Sequence, residues 1–116
     1  MQKSFVLRNA SNGAVIAQRV KRASDPFSRG VGLLTRAGVA PDEGLWIDRC
    51  GAVHTLGMRA VLDLFFLDCE GKVLEIVPNV RPQRLSVSCR GARNVVELGT
   101  DDSGRAVRIG DRLVLE

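Results

Sequence analysis

Turn-forming residues separate the short apolar runs of this 116-residue chain at intervals of about eight to twelve residues. Runs of this length match β-strands, and short strands joined by frequent turns are typical of β-sandwiches and barrels. A chain of this size forms one domain that can bury about two-thirds of its unfolded surface. We therefore predict a single, mainly β domain over residues 1–116.

Two hairpins dominate the predicted sheet. Strand-like runs at residues 4–8 and 14–20 flank Ser11-Asn12-Gly13, and Asn-Gly between apolar runs is a strong hairpin signal. The strongest strand signals, at residues 61–67 and 73–77, flank the turn Asp68-Cys-Glu-Gly71 and predict a central hairpin. Further strands are predicted at residues 44–47, 85–88, 94–98 and 111–115.

One segment departs from the β pattern. Ser24-Asp25-Pro26 supplies a capping side chain followed by Pro, so one short helix is predicted near residues 24–35. Residues 50–58 contain Gly51 and Gly57 and are predicted to form an irregular connection.

The composition narrows the classes of partner. Hydrophobic residues at 45% and charged residues at 26% are ordinary for a globular protein. The net charge is +4, but the Arg residues are scattered and the chain has five aromatic side chains and no Tyr. A nucleic-acid site usually has a basic stripe with aromatic stacking platforms, so we expect no nucleic-acid partner.

The three cysteines, Cys50, Cys69 and Cys89, are odd in number and lack CxxC spacing. This pattern argues against a disulfide framework and a zinc ribbon, so reduced thiols, no metal and no cofactor are expected. No apolar run reaches the length of a signal-peptide core or a membrane span. The chain as it stands is expected to be cytoplasmic, or periplasmic or envelope-associated if a leader was removed.

Asp63 lies inside the most apolar run of the chain. A buried carboxylate must be paired, hydrogen-bonded or protonated, because an isolated charge in an apolar interior is too costly. On a strand, Arg59 and Asp63 would be ~13 Å apart at ~3.3 Å per residue. The partner of Asp63 must therefore come from a neighbouring strand, or from a bulge that folds residues 54–59 back over it.

Two interpretations of this region remain open. In the functional one, His54, Arg59 and Asp63 surround a small polar cavity, with His54 as acid or base and Arg59 as an anion clamp. In the structural one, which we favour, Asp63 accepts hydrogen bonds from the backbone or Thr55 and fixes the loop before it.

Other side chains offer weaker signals for chemistry. Arg29 could reach a carboxylate such as Glu97 or Asp63. Cys50 precedes the only His by four residues, but free cysteines are most often small buried apolar residues. A catalytic cysteine is therefore a minor alternative.

Several motifs, in order and spacing, resemble the bacterial and archaeal family called domain of unknown function 192. They are Arg29-Gly-Val-Gly-Leu-Leu, Gly44-Leu-Trp-Ile, His54-Thr-Leu-Gly-Met-Arg, Asp63-Leu-Phe-Phe-Leu-Asp, Pro82, Val95-Val-Glu-Leu98 and Gly110-Asp-Arg-Leu. The resemblance covers roughly residues 5–115 and implies a jelly-roll-like β-sandwich or distorted barrel with a small helical element. The His-Thr form resembles a branch often found near type IV pilus (Flp/Tad) assembly genes.

Two functions of different classes follow. The first is a non-enzymatic accessory module, linked to pilus assembly or the cell envelope, that binds a small polar ligand or a protein partner. Its expected ligand-binding residues are Thr55, Met58, Arg59, Asp63 and Arg29. The alternative is a small hydrolase or transferase that uses His54 with Asp63. The sequence leaves open whether the chain is an enzyme and what its oligomeric state is.

Overall fold

Strands make up all of the regular structure in the described part of the chain. A computed structural model describes residues 3–23, 38–53, 60–82 and 87–116, and none of these residues is helical. The prediction of a mainly β domain is confirmed. Within these ranges the strands are β1 (Ser4–Asn9), β2 (Val15–Ala23), β3 (Glu43–Asp48), β4 (Ala52–Val53), β5 (Leu62–Leu67), β6 (Val73–Val80), β7 (Val87–Ser88), β8 (Asn94–Gly99) and β9 (Leu113–Leu115).

Seven of these strands form one sheet in the order β6-β5-β8-β3-β2-β1-β9. Neighbours in this sheet are antiparallel, except that β2 and β3 run parallel. Strands β4 and β7 form a separate antiparallel pair. Both predicted hairpins, β1–β2 and β5–β6, are confirmed.

The first hairpin shows why its sequence turns where it does. Gly13 has a φ of 80°, a left-handed conformation that glycine adopts without a steric penalty. The Gly13 N–H donates to the Asn9 carbonyl at 2.7 Å, and the Ser11 N–H donates to Asn9 Oδ1 at 2.9 Å. The Asn9 side chain therefore closes the turn that the Asn-Gly signal predicts.

The first and last strands in the sheet order, β6 and β9, are joined by backbone hydrogen bonds near their ends. The Val73 N–H donates to the Asp111 carbonyl at 2.8 Å, and the Leu113 N–H donates to the Gly71 carbonyl at 2.9 Å. Gly71 has a φ of 87°, and a Cβ there would collide with the Leu113 carbonyl oxygen. The sheet thus curves back on itself as in a distorted barrel, and Gly71 permits the close approach.

Strand β5 is buried on both faces, and its side chains alternate between two apolar clusters. Leu62, Leu64 and Phe66 contribute to a cluster that includes Val53 of β4 and Val87 of β7. Phe65 and Leu67 contribute to the other cluster, to which every strand of the seven-stranded sheet adds a side chain. This second cluster fills the concave side of the sheet.

Several boundaries differ from the sequence prediction. The predicted helix near residues 24–35 lies outside the described residues. The irregular connection predicted at residues 50–58 contains the short strand Ala52–Val53, while residues 54–58 lie outside the described ranges. Strand β6 continues through Pro78 to Val80, as an edge strand can because proline lacks an N–H to donate. No described helix is long and apolar enough to span a membrane.

Candidate functional site

Of the ligand-binding and catalytic residues predicted from the sequence, Asp63 lies within the described part of the chain. Its proposed companions Arg29, His54, Thr55, Met58 and Arg59 lie outside the described residues. The described surroundings of Asp63 are therefore strands β5, β6 and β8 and the segment after β8.

The Asp63 carboxylate is buried, with 6% of the residue exposed, and both of its oxygens accept hydrogen bonds. Oδ1 accepts from the Asn79 N–H at 2.9 Å and from the Thr100 hydroxyl at 3.0 Å. Oδ2 accepts from the Asp101 N–H at 3.2 Å. These donors satisfy the requirement that a buried carboxylate must be hydrogen-bonded.

A β-bulge in β6 supplies the Asn79 donor. The β5–β6 register passes from Leu62 opposite Val80 to Leu64 opposite Val77, which leaves one extra residue in β6. Asn79 has a φ of 54° at this point. Asn tolerates the left-handed conformation better than most residues, and the bulge frees its N–H from the strand ladder to face Asp63.

The other two donors follow from the pairing of β5 with β8. Asp63 lies opposite Leu98, so the chain that leaves β8 passes the carboxylate at Thr100 and Asp101. At Gly99, a Cβ would collide with the carbonyl oxygens of residues 39 and 40. Glycine is therefore required where the segment before β3 crosses the end of β8.

Arg105 completes the cluster as a cation. Its side chain is 7% exposed, its Nη2 lies 3.6 Å from Asp63 Oδ2, and its guanidinium carbon lies 5.8 Å from the centre of the Phe65 ring. Nη2 also donates to the Gly99 carbonyl, and Nη1 donates to the Pro41 carbonyl at 3.4 Å. Burial lowers the pKa of Arg105, while the negative charges of Asp63 and Asp101 act in the opposite direction.

One N–H group of this guanidinium has no hydrogen-bond acceptor among the described residues. This group is the Arg105 Nε–H, which is buried. A buried N–H without an acceptor costs free energy, so an oxygen atom supplied at this position would be favourable. The Asp63–Arg105 cluster can therefore donate a hydrogen bond to a further group, although its carboxylate is occupied.

The prediction that a neighbouring strand supplies a partner of Asp63 holds for Asn79 of β6, whereas the other partners lie in the segment after β8. Thr100, Asp101 and Arg105 were not singled out, and the loop that Asp63 contacts among the described residues is the one after β8. The turn signal at Asp101-Asp-Ser-Gly104 was visible in the sequence. Its position beside Asp63 follows only from the β5–β8 register.

The three cysteines lie in different surroundings. Cys50 is buried, and its Sγ–H donates to the Ala52 carbonyl at 3.0 Å. Burial and the neighbouring Glu75 carboxylate raise the pKa of Cys89, which favours its neutral thiol. Cys69 is exposed in the turn before Gly71. Within the described ranges, no group of three or more His, Cys, Asp or Glu side chains is arranged to hold a metal ion.

A small, mainly β domain with a seven-stranded sheet curved around an apolar interior is the class of protein that these features define. Within that class, the chain belongs to the DUF192 family (uncharacterized ACR), whose model matches residues 7–115. The resemblance found in the sequence is thereby confirmed.

Two solved structures share this fold. A crystal structure described as a "putative transcription regulator" from Sinorhizobium meliloti is 28% identical with a TM-score of 0.79, over 99% of this chain and 94% of that chain. A protein of unknown function from Novosphingobium aromaticivorans is 18% identical with a TM-score of 0.79, over 97% of this chain and 84% of that chain. Comparison with curated proteins gives no significant match.

Proposed function

We propose that this domain is a non-enzymatic binding module that holds a small polar ligand or a protein segment at the Asp63–Arg105 cluster. One observation carries the proposal. The acceptor sites of Asp63 are used by donors of its own chain, whereas Arg105 Nε is a buried donor without an acceptor among the described residues. Such a cluster can donate a hydrogen bond to a bound oxygen, but its carboxylate is poorly placed to remove a proton.

The same contacts argue against the alternative, a hydrolase or transferase that uses His54 with Asp63. A general base needs a free lone pair within hydrogen-bond reach of the proton that it takes. Asp63 Oδ1 already accepts two hydrogen bonds, and Oδ2 accepts one and lies beside the Arg105 guanidinium. A carboxylate held in this way stabilises its surroundings.

The segment before β5 supplies the remaining proposed contacts. Residues 54–59 precede in sequence the strand that carries Asp63, and we propose that polar and apolar side chains of this segment contact the ligand. The proposed ligand-binding residues thus remain Thr55, Met58 and Arg59, with Asp63 as a positioning residue and Arg29 as a second cation.

The ion pairs on the surface of β2 argue against a nucleic-acid partner. Arg19 contacts Asp42 at 3.0 Å, and Arg22 contacts Asp48 at 2.7 Å. These carboxylates neutralise a basic run that could otherwise contact phosphates. The description of the Sinorhizobium meliloti relative makes nucleic-acid binding worth testing, and we expect no salt-dependent binding of duplex DNA by this chain.

The link to type IV pilus assembly or the cell envelope remains a prediction from the family resemblance. If the partner is a protein, we propose that a segment of an envelope protein binds where the small ligand would otherwise bind. Co-purification with pilus assembly components that is lost in an Arg105 variant would support it.

A thermal-shift screen of small polar compounds tests the ligand form of the proposal. A ligand at 100 times its dissociation constant adds about 2.7 kcal/mol to the free energy of unfolding, which is readily measured. We expect the shift to be lost in Arg105→Lys, which keeps the charge but removes the Nε donor. The control is Arg108→Lys, at an exposed position of the same segment, which should keep the shift.

Two results would contradict the proposal. If Arg105→Lys responds to the compound as the native chain does, the buried donor is not part of the site. If the chain hydrolyses a substrate of an ester, amide or phosphoester panel and loses this activity in both His54→Ala and Asp63→Asn, the domain is an enzyme.

A further inference from the structure

A cavity lies at the opposite end of β5 from Asp63. It has a volume of about 550 Å³, which is within the range of small-molecule sites. It lies between the turn that follows β3 and the segment that enters β8. Its lining contains two arginines and no carboxylate; the lining residues are Arg49, Cys50, Gly51, Cys69, Ala92, Arg93 and Asn94.

The two arginines of this cavity are not used in ion pairs among the described residues. Arg49 and Arg93 have no carboxylate within salt-bridge distance among the described residues. By contrast, four arginines elsewhere contact a carboxylate at 2.6 to 3.6 Å; they are Arg8, Arg19, Arg22 and Arg105. The cavity therefore carries positive charge that the described part of the fold does not neutralise.

The backbone at Arg49 is unusual. Arg49 has a φ of 54°, in the left-handed region that non-glycine residues rarely adopt. Conformations of this kind persist where the surrounding structure enforces them, and they concentrate at binding sites. Here the Arg49 N–H lies 3.4 Å from Asn94 Oδ1, and the Cys50 N–H donates to the Arg93 carbonyl at 2.8 Å.

Asn94 connects the walls of the cavity. Its Nδ2 donates to the Asp68 carbonyl at 3.1 Å while its Oδ1 faces the Arg49 N–H. The Arg93 N–H donates to the Leu67 carbonyl at 2.7 Å. The backbones of both arginines are thus fixed relative to each other before any ligand arrives, which reduces the entropy lost on binding.

We propose that this cavity binds a small molecule through a carboxylate or phosphate group held between Arg49 and Arg93. A guanidinium matches the geometry of an oxyanion and donates two parallel hydrogen bonds to it. Arg49 and Arg93 are both exposed residues, but they line one concave site, so the two guanidinium groups can share one anion, whereas a single exposed ion pair contributes little. This site is separate from the Asp63–Arg105 cluster and stands independently of the proposed function.

Titration with inorganic phosphate and, separately, with succinate tests this site. Chloride keeps the ionic strength constant, and NMR follows the backbone and arginine side-chain signals. We expect saturable shifts at Arg49, Arg93 and Asn94 with at least one of the two anions. Saturation by phosphate alone assigns the site to phosphate, and saturation by succinate alone assigns it to a carboxylate.

Variants separate binding from folding. Arg93→Gln and Arg49→Gly should each weaken the affinity about tenfold or more, the loss expected for a charge-assisted hydrogen-bonded pair. Arg49→Gly should not lower the melting temperature, because glycine adopts the left-handed backbone without a steric penalty. Arg90→Gln is the matched control, since Arg90 is exposed in the neighbouring turn and does not line the cavity.

The proposal is overturned if neither anion produces saturable shifts at these residues. It is also overturned if saturable binding persists unchanged in both Arg49→Gly and Arg93→Gln, or if Arg90→Gln weakens it as much as they do. The last result would indicate attraction by the net charge of the surface.

Discussion

The charged side chains at the two ends of strand β5 differ in whether they have a partner of opposite charge. At the Asp63 end, a buried carboxylate and a nearly buried guanidinium are held together by donors and acceptors from three segments of the chain. At the Leu67 end, Arg49 and Arg93 line a cavity without a carboxylate in its lining. Charge is paired where water is excluded and left unpaired where the cavity admits water. We therefore expect the loss of a charged side chain to cost stability at the first end and to be tolerated at the second.

The largest expected effect is at the Asp63 end. Asp63→Leu should lower the free energy of unfolding by about 3 to 5 kcal/mol, because it leaves the Arg105 charge buried without its partner. The double variant Asp63→Leu, Arg105→Met should recover part of this loss. Chemical denaturation measures both. A loss below about 1 kcal/mol in the single variant would mean that the ion pair does not support the fold.

Glycines at the two ends provide the next comparison. Gly71, after Leu67, and Gly104, near Asp63, have nearly the same φ, 87° and 88°. A Cβ added at Gly71 would collide with the Leu113 carbonyl oxygen. A Cβ added at Gly104 would have none of the described atoms within 4 Å. Gly104→Ala should cost about 1 to 2 kcal/mol, from the backbone conformation alone. Gly71→Ala should cost about 1 to 3 kcal/mol more, because the β6–β9 contact must also shift. Equal losses in urea denaturation would show that this contact is dispensable.

Arginine substitutions at the Leu67 end should have small effects on stability. Arg93→Ala is expected to change the free energy of unfolding by no more than about 0.5 kcal/mol, as for surface positions without a buried partner. The same denaturation assay applied to Arg105→Ala should give a loss of about 3 kcal/mol or more. If Arg93→Ala is as costly as Arg105→Ala, the proposed difference between the two ends is wrong.

The smallest expected effect is a pH dependence at the turn that follows Leu67. The backbone N–H groups of Lys72 and Glu70 lower the pKa of Asp68. A lowered pKa in the folded state gives stability that is present above the unfolded pKa of about 3.9 and is lost as the pH falls through the folded pKa. The melting temperature should therefore fall below about pH 4. Asp68→Asn should reduce this slope, and an unchanged slope would exclude Asp68 as a contributor.

The local parts of this fold could be predicted from the sequence. Asn12-Gly13 and Gly71 determine their turns through their own backbone preferences, and the apolar run before Asp68 predicts the buried strand β5. The surroundings of Asp63 could not be predicted in this way. Thr100 is 37 residues further along the chain, and its contact depends on the β5–β8 register.

The bulge at Asn79 is a second feature that the sequence did not reveal. The strand signal in the sequence covers residues 73–77 and ends before Pro78. In the structure the strand continues and the extra residue turns one N–H toward Asp63. The bulge is stabilised by the buried Asp63 carboxylate on the neighbouring strand. The sequence around Pro78 does not contain this residue and therefore could not predict the bulge.

The position of β9 between β1 and the start of β6 has a consequence for folding. β9 is synthesised after the other eight described strands, yet its backbone hydrogen bonds join both edges of the sheet. Until it docks, β1 and β6 expose unpaired N–H and C=O groups, which are templates for pairing between molecules. Long-range pairing of this kind is slow. Conditions that delay docking of Leu113–Leu115 should therefore promote aggregation of newly made chains before they affect the stability of folded ones.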